Sequence, residues 1–323
     1  MRLMVYLPAY NEEKTIRSTL EGILQALQEQ KDLVLLVVDD GSTDRTAAEA
    51  QSAGAEVVSH HTNLGVGRVF HTAVQEALER GVDVLVSIDA DGQFNPEQIL
   101  SLIIPLEKQS MAMVTGNRFM NGRPASMPLI KYLGNQVVAR LVSAMSGTRL
   151  RDVSCGFRSY SREALLHLNL FGDFTYTHES ILTLANHKLP ILETPVDVRY
   201  FPDRESRVAK NLTMYSMKIS KIIFRVLVDN KALRVFGIFS SFFTTIGLFL
   251  IAFLFGHYFL KGSFSPYKSV GFIGLGFIIL GLFILLFALI ADLINRLRIN
   301  QERILIMQKK SYYRQKEKDS SQG

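Results

Sequence analysis

Two long apolar segments constrain this chain more than any other feature of its sequence. Residues 235–260 and 270–291 contain no Lys, Arg, Asp or Glu. At about 1.5 Å of helix per residue, each run is long enough to cross a hydrocarbon layer about 30 Å thick. Both runs also exceed the usual length of a helix in a globular core. The sequence therefore predicts a hairpin of two membrane-spanning helices within residues 235–294.

Cations surround this hairpin unevenly. The loop between the spans carries two lysines, whereas the outer flanks carry many cations: Lys231, Arg234, Arg296, Arg298, Arg303, Lys309, Lys310, Arg314, Lys316 and Lys318. Positively charged flanks favour the cytoplasmic side. We therefore expect a multi-pass protein of the inner or plasma membrane, with the preceding domain and both termini in the cytoplasm. No N-terminal signal is expected, because Met1-Arg2 leads directly into a strand pattern.

The segments that flank the hairpin are polar or amphipathic. Residues 211–234 repeat apolar side chains at helical spacing with cations between them. This pattern predicts either an amphipathic helix in the membrane interface or a helix packed on the preceding domain. Residues 295–323 form a basic tail, and its end from Lys309 is expected to be disordered. Residues 1–210 remain as the domain that can bury a core.

Short apolar runs alternate with helical patterns in this domain, which predicts an α/β sheet with parallel strands. Leu3–Leu7, Leu33–Val38 and Val84–Ile88 have the composition of strands. Polar residues follow each strand, and open α/β sheets bind ligands at this end of their strands. Asp39 and Asp40 could accept hydrogen bonds from a ribose or a base, and Tyr10 could stack on a base.

The last of these strands ends in Asp89-Ala90-Asp91-Gly92-Gln93. Two carboxylates at this spacing suit a hard divalent cation that also binds the phosphates of a substrate. The structural alternative is a solvated acidic turn before a helix that starts at Asn95-Pro96-Glu97. His60 and His61 are adjacent and make a poor metal pair, and the lone Cys155 is expected to be a bystander thiol in a reducing compartment.

Several motifs in this order resemble the family 2 glycosyltransferases of the GT-A fold, and within them the dolichyl-phosphate-mannose-synthase-like polyprenyl-phosphate glycosyltransferases. The resemblance covers roughly residues 1–210 and rests on Pro8-Ala9-Tyr10-Asn11-Glu12, Asp39-Asp40-Gly41-Ser42, Asn63-Leu64-Gly65, Asp89-Ala90-Asp91-Gly92-Gln93, Gly116-Asn117-Arg118 and Ser154-Cys155-Gly156-Phe157-Arg158. It implies a Rossmann-like, nucleotide-sugar-binding catalytic domain, followed by the interfacial helix and the transmembrane hairpin.

The resemblance also implies roles for individual residues. Pro8, Tyr10, Glu12 and Asp40 would hold the base and ribose, and Asp89, Asp91 and Gln93 would engage Mg²⁺ or Mn²⁺ and the sugar diphosphate. Arg118 and Arg158 would lie around the acceptor phosphate and the donor. A basic loop with Arg204, Arg207 and Lys210 would close over the site. This loop departs from the glycine-rich version common in the family, and a juxtamembrane cluster that attracts anionic lipid is the alternative.

The expected reaction is inverting transfer of one sugar from a UDP- or GDP-sugar to undecaprenyl or dolichyl phosphate, for cell-envelope or glycan assembly. A phosphate acceptor is already an anion and needs no general base, so Asp91, Arg118 and Arg158 are the expected catalytic residues. A transferase to a lipid or polysaccharide hydroxyl, with Glu179 as base, is the alternative. A membrane scaffold without chemistry would show gaps in the motif set, which is complete. No nucleic-acid partner is expected, and the sequence leaves a homo-oligomer open.

Overall fold

The computed structural model describes residues 1–120, 122–124, 127, 129–169, 176–199 and 212–320, with only the backbone of residues 130, 131, 212–232, 317, 318 and 320. The chain divides into two compact units. The first contains Met1–Arg207 together with Ile306–Gly323, and the second contains Val208–Leu305.

One mixed sheet forms the centre of the first unit. Its strands, in chain order, are β1 Leu3–Ala9, β2 Leu33–Asp39, β3 Glu56–Ser59, β4 Val84–Ser87, β5 Met113–Asn117, β6 Arg158–Ser161 and β7 Ile191–Pro195. They lie in the order β3-β2-β1-β4-β6-β5-β7. Among these strands, β6 alone runs antiparallel to its neighbours. The predicted α/β class is confirmed.

Helices of the first unit connect these strands. They are α1 Ile16–Ala26, α2 Thr46–Ser52, α3 Val66–Glu79, α4 Ile99–Lys108, α5 Leu129–Ser146, α6 Arg162–His167 and α7 Tyr176–Asn186. In α1 the apolar residues Ile16, Leu20 and Ile23 recur at helical spacing and are fully buried. Asn95 caps the short 3₁₀ helix Pro96–Gln98 before α4, because its side chain accepts a hydrogen bond from Glu97 N at 3.2 Å.

Strand direction brings the polar segments to one edge of the sheet. β1, β2, β4, β5 and β7 all end there, and the antiparallel β6 begins there. Ala9 pairs with Asp39, and Ser87 pairs with Arg158. The residues that follow Ala9, Asp39, Ser87 and Asn117 therefore share this edge with the residues that precede Arg158.

The two faces of the sheet are packed differently. One face carries aliphatic side chains, such as Leu7 and Val86, and packs against the buried faces of α1 and α4. On the other face, Phe70 of α3 contacts three buried tyrosines. Its ring centroid lies 6.1 Å from that of Tyr6, 5.3 Å from that of Tyr160 and 4.3 Å from that of Tyr176. Because Tyr176 is the first residue of α7, this aromatic cluster holds the start of α7 against the sheet.

Two helices, α8 Leu212–Lys261 and α9 Lys268–Ser320, make up most of the rest of the chain. Within them, Leu233–Lys261 and Lys268–Lys316 are long and apolar enough to cross a membrane. Large apolar side chains such as Phe249, Phe259 and Phe272 are more than two-thirds exposed. Such exposure is not typical of helices in a globular core, and it suggests membrane association.

Small residues allow the two helices of the second unit to approach closely. A Cβ atom on Gly247 of α8 would lie 2.6 Å from the carbonyl oxygen of Gly274 in α9. Ser240 Oγ donates a hydrogen bond to the carbonyl oxygen of Gly281 at 2.7 Å. Contacts of this kind are typical of helix pairs in lipid, where small side chains and interhelical hydrogen bonds replace the hydrophobic effect. They support the predicted hairpin.

The helix boundaries differ from the sequence prediction at both flanks of the hairpin. Residues 212–234 are helical, as predicted, but α8 continues without a break into the first apolar run. Their placement in a membrane interface stays a prediction. The prediction of disorder from Lys309 is wrong, because α9 extends to Ser320. An ion pair one turn apart stabilises α9 before this stretch, between Arg298 and Glu302 at 3.0 Å.

The end of α9 also packs on the rest of the first unit. Lys310 Nζ lies 2.6 Å from Glu163 Oε1, and Lys309 Nζ donates a hydrogen bond to the carbonyl oxygen of Leu168 at 3.4 Å. Ile306 is buried. The C-terminal residues therefore belong to the α/β unit rather than forming a separate tail.

Candidate active site

The loops after β1 and β2 are joined by a set of hydrogen bonds. Asn11 N donates to Ser42 Oγ at 2.9 Å, and Asn11 Oδ1 accepts from Thr43 N at 2.9 Å. Asn11 adopts a left-handed conformation with φ 55°, which asparagine tolerates better than most residues. These two joined loops can form one rigid side of a nucleotide-binding site. The predicted nucleotide-binding residues in or beside it are the half-buried Pro8, Tyr10 and Glu12.

Asp40 fixes a third loop at the same edge. Its carboxylate accepts hydrogen bonds from Leu64 N at 2.9 Å and Gly65 N at 2.8 Å, and it lies 2.8 Å from Nδ1 of His60. His60 is thus a partner of Asp40, a role that its position in the sequence did not indicate. Three protein groups already bind Asp40, so its direct contact with a base or ribose stays a prediction.

Asp39 makes a simpler set of contacts. It is buried at the end of β2, and its Oδ1 accepts a hydrogen bond from Ser42 N at 3.1 Å. The adjacent Gly41 has φ 74°, and a Cβ atom there would lie 2.7 Å from the backbone of Thr62. Glycine is therefore required for the close approach of this turn to the loop that Asp40 holds.

Asp89 and Asp91 form the acidic centre of the edge. The two carboxylate oxygens of Asp89 would lie 3.2 and 3.4 Å from a Cβ atom on Gly156, and the hydroxyl of Tyr176 would lie 3.3 Å from it. Burial, together with the nearby negative charge of Asp91, raises the pKa of Asp89 to about 7, and the positive charge of Arg118 opposes this rise. Two carboxylates that repel each other in this way are suited to a bound cation.

These residues fit a divalent ion that is shared with a substrate. The described part of the chain contains no group of three or more His, Cys, Asp and Glu side chains that could form a complete metal cage. Mg²⁺ commonly binds through one or two carboxylates plus substrate phosphates. Asp89 and Asp91 could supply such a pair. Asp91 Oδ1 also accepts a hydrogen bond from Gln93 N at 3.0 Å, and the Gln93 side chain stays a predicted ligand.

Arg118 is held at the edge by a carboxylate that none of the matched sequence motifs contains. Its Nε lies 2.7 Å from Oδ2 of Asp152, and its Nη2 lies 2.9 Å from Oδ1 of the same residue. Nη2 also donates to Ser154 Oγ at 2.8 Å. Arg118 lines a surface cleft with Arg123, Asp197 and other residues of the segments after β5 and β7.

Arg158 lies deeper in the protein than the family resemblance implied. Its side chain is fully buried, and all three guanidinium nitrogens donate to the protein. The acceptors are the carbonyl oxygens of Cys155, Thr177 and Val153, at 2.7, 2.6 and 2.9 Å, and Ser180 Oγ at 3.0 Å. This burial contradicts a direct contact with an acceptor phosphate. Arg158 instead joins the loop before β6 to the start of α7.

The first turn of α7 completes the edge. Glu179 is half-buried there, in the turn that Arg158 and the aromatic cluster hold in place. The neighbouring His178 has its pKa lowered to about 4, because burial and the charge of Arg158 both disfavour the imidazolium form. The role of Glu179 as a base stays a prediction. The basic loop residues lie outside the described residues: Arg204, Arg207 and Lys210.

Glu193 of β7 is another side chain at this edge that the sequence motifs did not indicate. Its Oε1 accepts hydrogen bonds from Arg151 N at 2.7 Å and Asp152 N at 2.8 Å. Asp152 lies close before the matched run that starts at Ser154, and this position was the available signal for it. Glu193 has no comparable signal, because its partners lie about 40 residues away along the chain.

Comparison with known proteins identifies the fold and the family. The model of Glycosyl transferase family 2 matches residues 4–168. A solved structure of glucosyl-3-phosphoglycerate synthase from Mycobacterium tuberculosis, in complex with Mn²⁺ and UDP-glucose, superposes with a TM-score of 0.52. The two are 25% identical, over 70% of this chain and 78% of that chain. The predicted GT-A-like sheet domain is confirmed.

Several relatives are named for sugar transfer to a lipid phosphate. The UDP-N-acetylglucosamine--dolichyl-phosphate N-acetylglucosaminyltransferase of Methanococcus voltae is 30% identical over 220 residues, which cover 61% of this chain and 86% of the relative. The undecaprenyl-phosphate mannosyltransferase of Micrococcus luteus is 33% identical over 179 residues, which cover 53% of this chain and 70% of the relative. The chain therefore belongs to glycosyl transferase family 2, as a glycosyltransferase related to the polyprenyl- and dolichyl-phosphate sugar transferases.

Proposed function

We propose that this glycosyltransferase moves a single sugar from a UDP- or GDP-sugar to a polyprenyl phosphate, with inversion at the anomeric carbon. The observation that carries the proposal is the convergence of Asp89, Asp91 and Arg118 at one edge of the sheet. The charge of Arg118 acts on the pKa of Asp89, so a cationic group and an acidic pair share one site. Relatives that act on dolichyl and undecaprenyl phosphate support this choice of acceptor.

The transfer is a single displacement. An oxygen of the acceptor phosphate attacks the anomeric carbon, the bond from that carbon to the donor diphosphate breaks, and the electron pair leaves with the nucleoside diphosphate. The acceptor enters as an anion, so no protein base has to remove a proton. Arg118 can orient the acceptor phosphate through its planar guanidinium group.

The donor would be held by the joined loops after β1 and β2. The residues that would contact the base and ribose are Pro8, Tyr10, Glu12, Asp39 and Asp40. The predicted holders of Mg²⁺ or Mn²⁺ beside the diphosphate are Asp89, Asp91 and Gln93. A divalent ion, when bound, would neutralise charge on the departing diphosphate. The protein itself contributes fixed geometry, because hydrogen bonds within the protein hold the loops before substrate arrives.

The membrane hairpin would keep this site near the lipid acceptor. We propose that the catalytic unit and both termini lie in the cytoplasm, on the side favoured by the flanking cations. The contact between Lys310 and Glu163 supports a shared side for the catalytic unit and the C-terminal residues, because it brings the residues after the second apolar run onto the catalytic unit. The C-terminal residues and the catalytic unit must then lie on the same side of the membrane.

The test is transfer of label into lipid. Membranes that contain the full chain would be incubated with radiolabelled UDP- and GDP-sugars, undecaprenyl phosphate and MnCl₂, and the organic phase would be counted. We expect acid-labile lipid label from one donor, and its loss in Asp91→Asn. Asp32→Asn, at an exposed carboxylate, is the matched control and should retain activity. Full activity of Asp91→Asn would contradict the role of the acidic pair.

The hydroxyl-acceptor alternative gives a different result in the same assay. Glu179 lies half-buried at the start of α7, where a base could act. If it serves as a base, Glu179→Gln should lose nearly all activity, and the label should enter an alkali-stable glycolipid or polymer. A largely active Glu179→Gln together with acid-labile product would exclude this alternative.

A further inference from the structure

We propose that Asp152 and Glu193 form a positioning system for Arg118, in which Asp152 orients the guanidinium group and Glu193 holds Asp152 in place. The proposal rests on the proposed function in one respect, namely that Arg118 binds the acceptor phosphate. It adds two carboxylates that touch no substrate to the set of residues that determine acceptor use.

The contact between Asp152 and Arg118 fixes the plane of the guanidinium group. Two parallel bonds join the side chains, at 2.7 and 2.9 Å, and Arg118 N donates to Asp152 Oδ2 at 3.2 Å as well. Asp152 is fully buried, whereas Arg118 is partly exposed at the cleft. A bidentate pair of this kind restricts rotation of the arginine far more than a single hydrogen bond does.

Other side chains hold the loop that contains Asp152. Ser154 Oγ donates to Asn135 Oδ1 at 2.7 Å, and Asn135 Nδ2 donates to the carbonyl oxygen of Arg151 at 3.1 Å. Asn135 belongs to α5, so the short loop with Asp152 is attached to a helix on one side. The carboxylate of Glu193 attaches it to β7 on the other side, through the N–H groups of Arg151 and Asp152.

Glu193 also reaches the backbone at Arg118 through Asn117. Asn117 Nδ2 donates to Glu193 Oε2 at 3.0 Å, and Asn117 Oδ1 accepts from Phe119 N at 2.8 Å. One carboxylate therefore holds both the loop that binds the guanidinium group and the turn that carries Arg118. Burial raises the pKa of Glu193, and these donors stabilise its charged form against that effect.

The consequence is that the phosphate-binding group is oriented before the acceptor arrives. An arginine free to rotate loses rotamer entropy when it binds a phosphate, and a preorganised one loses less. A displacement of about 1 Å at a reacting group can lower the rate by about 100-fold. We therefore expect that loss of either carboxylate impairs acceptor use while donor and metal binding remain.

Kinetics of the full chain in membranes provide the first test. Asp152→Asn should lower kcat/KM for undecaprenyl phosphate by about 10- to 100-fold and leave the KM for the nucleotide sugar within about twofold. In an Arg118→Lys background the same change should add less than about twofold, because Asp152 acts through Arg118. If the two substitutions lowered kcat/KM independently, so that the double variant lost the product of the two single factors, the proposal would be overturned.

Milder variants guard against a simple failure to fold. Ser154→Ala removes one hydrogen bond to Arg118. Glu193→Gln weakens the bonds that hold the loop with Asp152 but leaves the carboxylate of Asp152 in place. Both should raise the KM for the acceptor more than they lower kcat. Glu76→Gln, which breaks an ion pair of α3 with Arg80, is the matched control and should leave both constants unchanged. A loss in the control equal to that in Glu193→Gln would contradict a positioning role.

Chemical modification tests the positioning of Arg118 without a measurement of enzyme activity. Phenylglyoxal modifies accessible guanidinium groups, and mass spectrometry of peptides from the full chain gives the rate at each arginine. We expect modification of Arg118 to become several times faster in Asp152→Asn, while the exposed Arg149 reacts at the same rate in both proteins. An unchanged rate at Arg118 would overturn the proposal. If the rate changes but no lipid-linked sugar forms in the wild-type protein, the proposed function fails and the positioning stands.

Discussion

Replacement of the buried Arg158 separates a structural role from a role in phosphate binding. Arg158→Met keeps an unbranched side chain that matches only the first part of arginine, as far as Nε, and removes all four hydrogen bonds of the guanidinium group. Three carbonyl oxygens, those of Val153, Cys155 and Thr177, would lose their donor. At about 1 to 1.5 kcal/mol for each unpaired carbonyl, the free energy of unfolding should fall by about 3–5 kcal/mol.

This loss should be visible as a lower melting temperature of the α/β unit. For a unit of this size, 1 kcal/mol corresponds to about 2–4 °C, so we expect a decrease of roughly 6 to 20 °C. The assay is thermal unfolding of the full chain in detergent, followed by near-ultraviolet circular dichroism of the tyrosines. The chain has no tryptophan, and Tyr6, Tyr160 and Tyr176 are buried near the affected loop.

A matched control makes the result decisive. Arg149→Met changes an exposed arginine in the same part of the chain and should alter stability by less than about 0.5 kcal/mol. An Arg158→Met protein with the wild-type melting temperature but no use of undecaprenyl phosphate would refute the structural role. That result would support the original prediction that Arg158 contacts the acceptor phosphate.

Three further outcomes follow from charge and burial. Asp89 has a pKa of about 7 in the absence of metal, and a carboxylate must lose its proton to bind Mn²⁺. Affinity for Mn²⁺, measured by electron paramagnetic resonance, should therefore rise about tenfold per pH unit below about pH 6.5 and level off above about pH 7.5; a flat profile would contradict this. Burial raises the pKa of Cys155 to about 12, so a maleimide should not label the native chain near neutral pH, whereas the unfolded chain should be labelled once. Rapid labelling of the native chain would show that the thiol is accessible. Lys310→Glu and Glu163→Lys should each expose the end of α9 to trypsin, and the double exchange should restore protection. Equal cleavage of the single and double variants would argue against this contact.

Much of the fold could be predicted from the sequence because it depends on local patterns. The β-branched runs at β1, β2 and β4 match the predicted strands to within about two residues. Ile88, predicted as the end of a strand, still donates its N–H to the carbonyl oxygen of Tyr6 at 3.1 Å although β4 ends at Ser87. The acidic residues after these strands meet at one edge because parallel strands end on the same side.

The contacts between distant residues could not be predicted in this way. Asp152 lies 34 positions from Arg118, and Glu193 lies a further 41 positions along the chain. No local pattern relates them, because only the order of β5, β6 and β7 in the sheet brings them together. For Arg158, the local sequence motif led to a wrong prediction for the same reason. Its place within a matched motif indicated a ligand contact, but Ser87 and Thr115 pair with it on both sides and place it inside the sheet.

The error at the C-terminus has a simple physical cause. The polar composition of the last residues indicated disorder, whereas Lys309 and Lys310 bind the carbonyl oxygen of Leu168 and the carboxylate of Glu163 in the same unit. Nearer the apolar run, the ion pair of Asp292 with Arg296, at 2.9 Å, joins successive turns of the same helix. The chain also contains no Pro after Pro266, so no proline interrupts the helix that begins at Lys268.

A comparison of two acceptors tests the proposed transfer most directly. Once the donor is known, the full chain would be assayed with undecaprenyl phosphate and with undecaprenol, which share the same hydrocarbon and differ only in the phosphate. Attack by an anion without a protein base predicts labelled product from undecaprenyl phosphate and none above background from undecaprenol. Transfer to undecaprenol at a similar rate would contradict the mechanism, because it would require a base such as Glu179 to remove the hydroxyl proton.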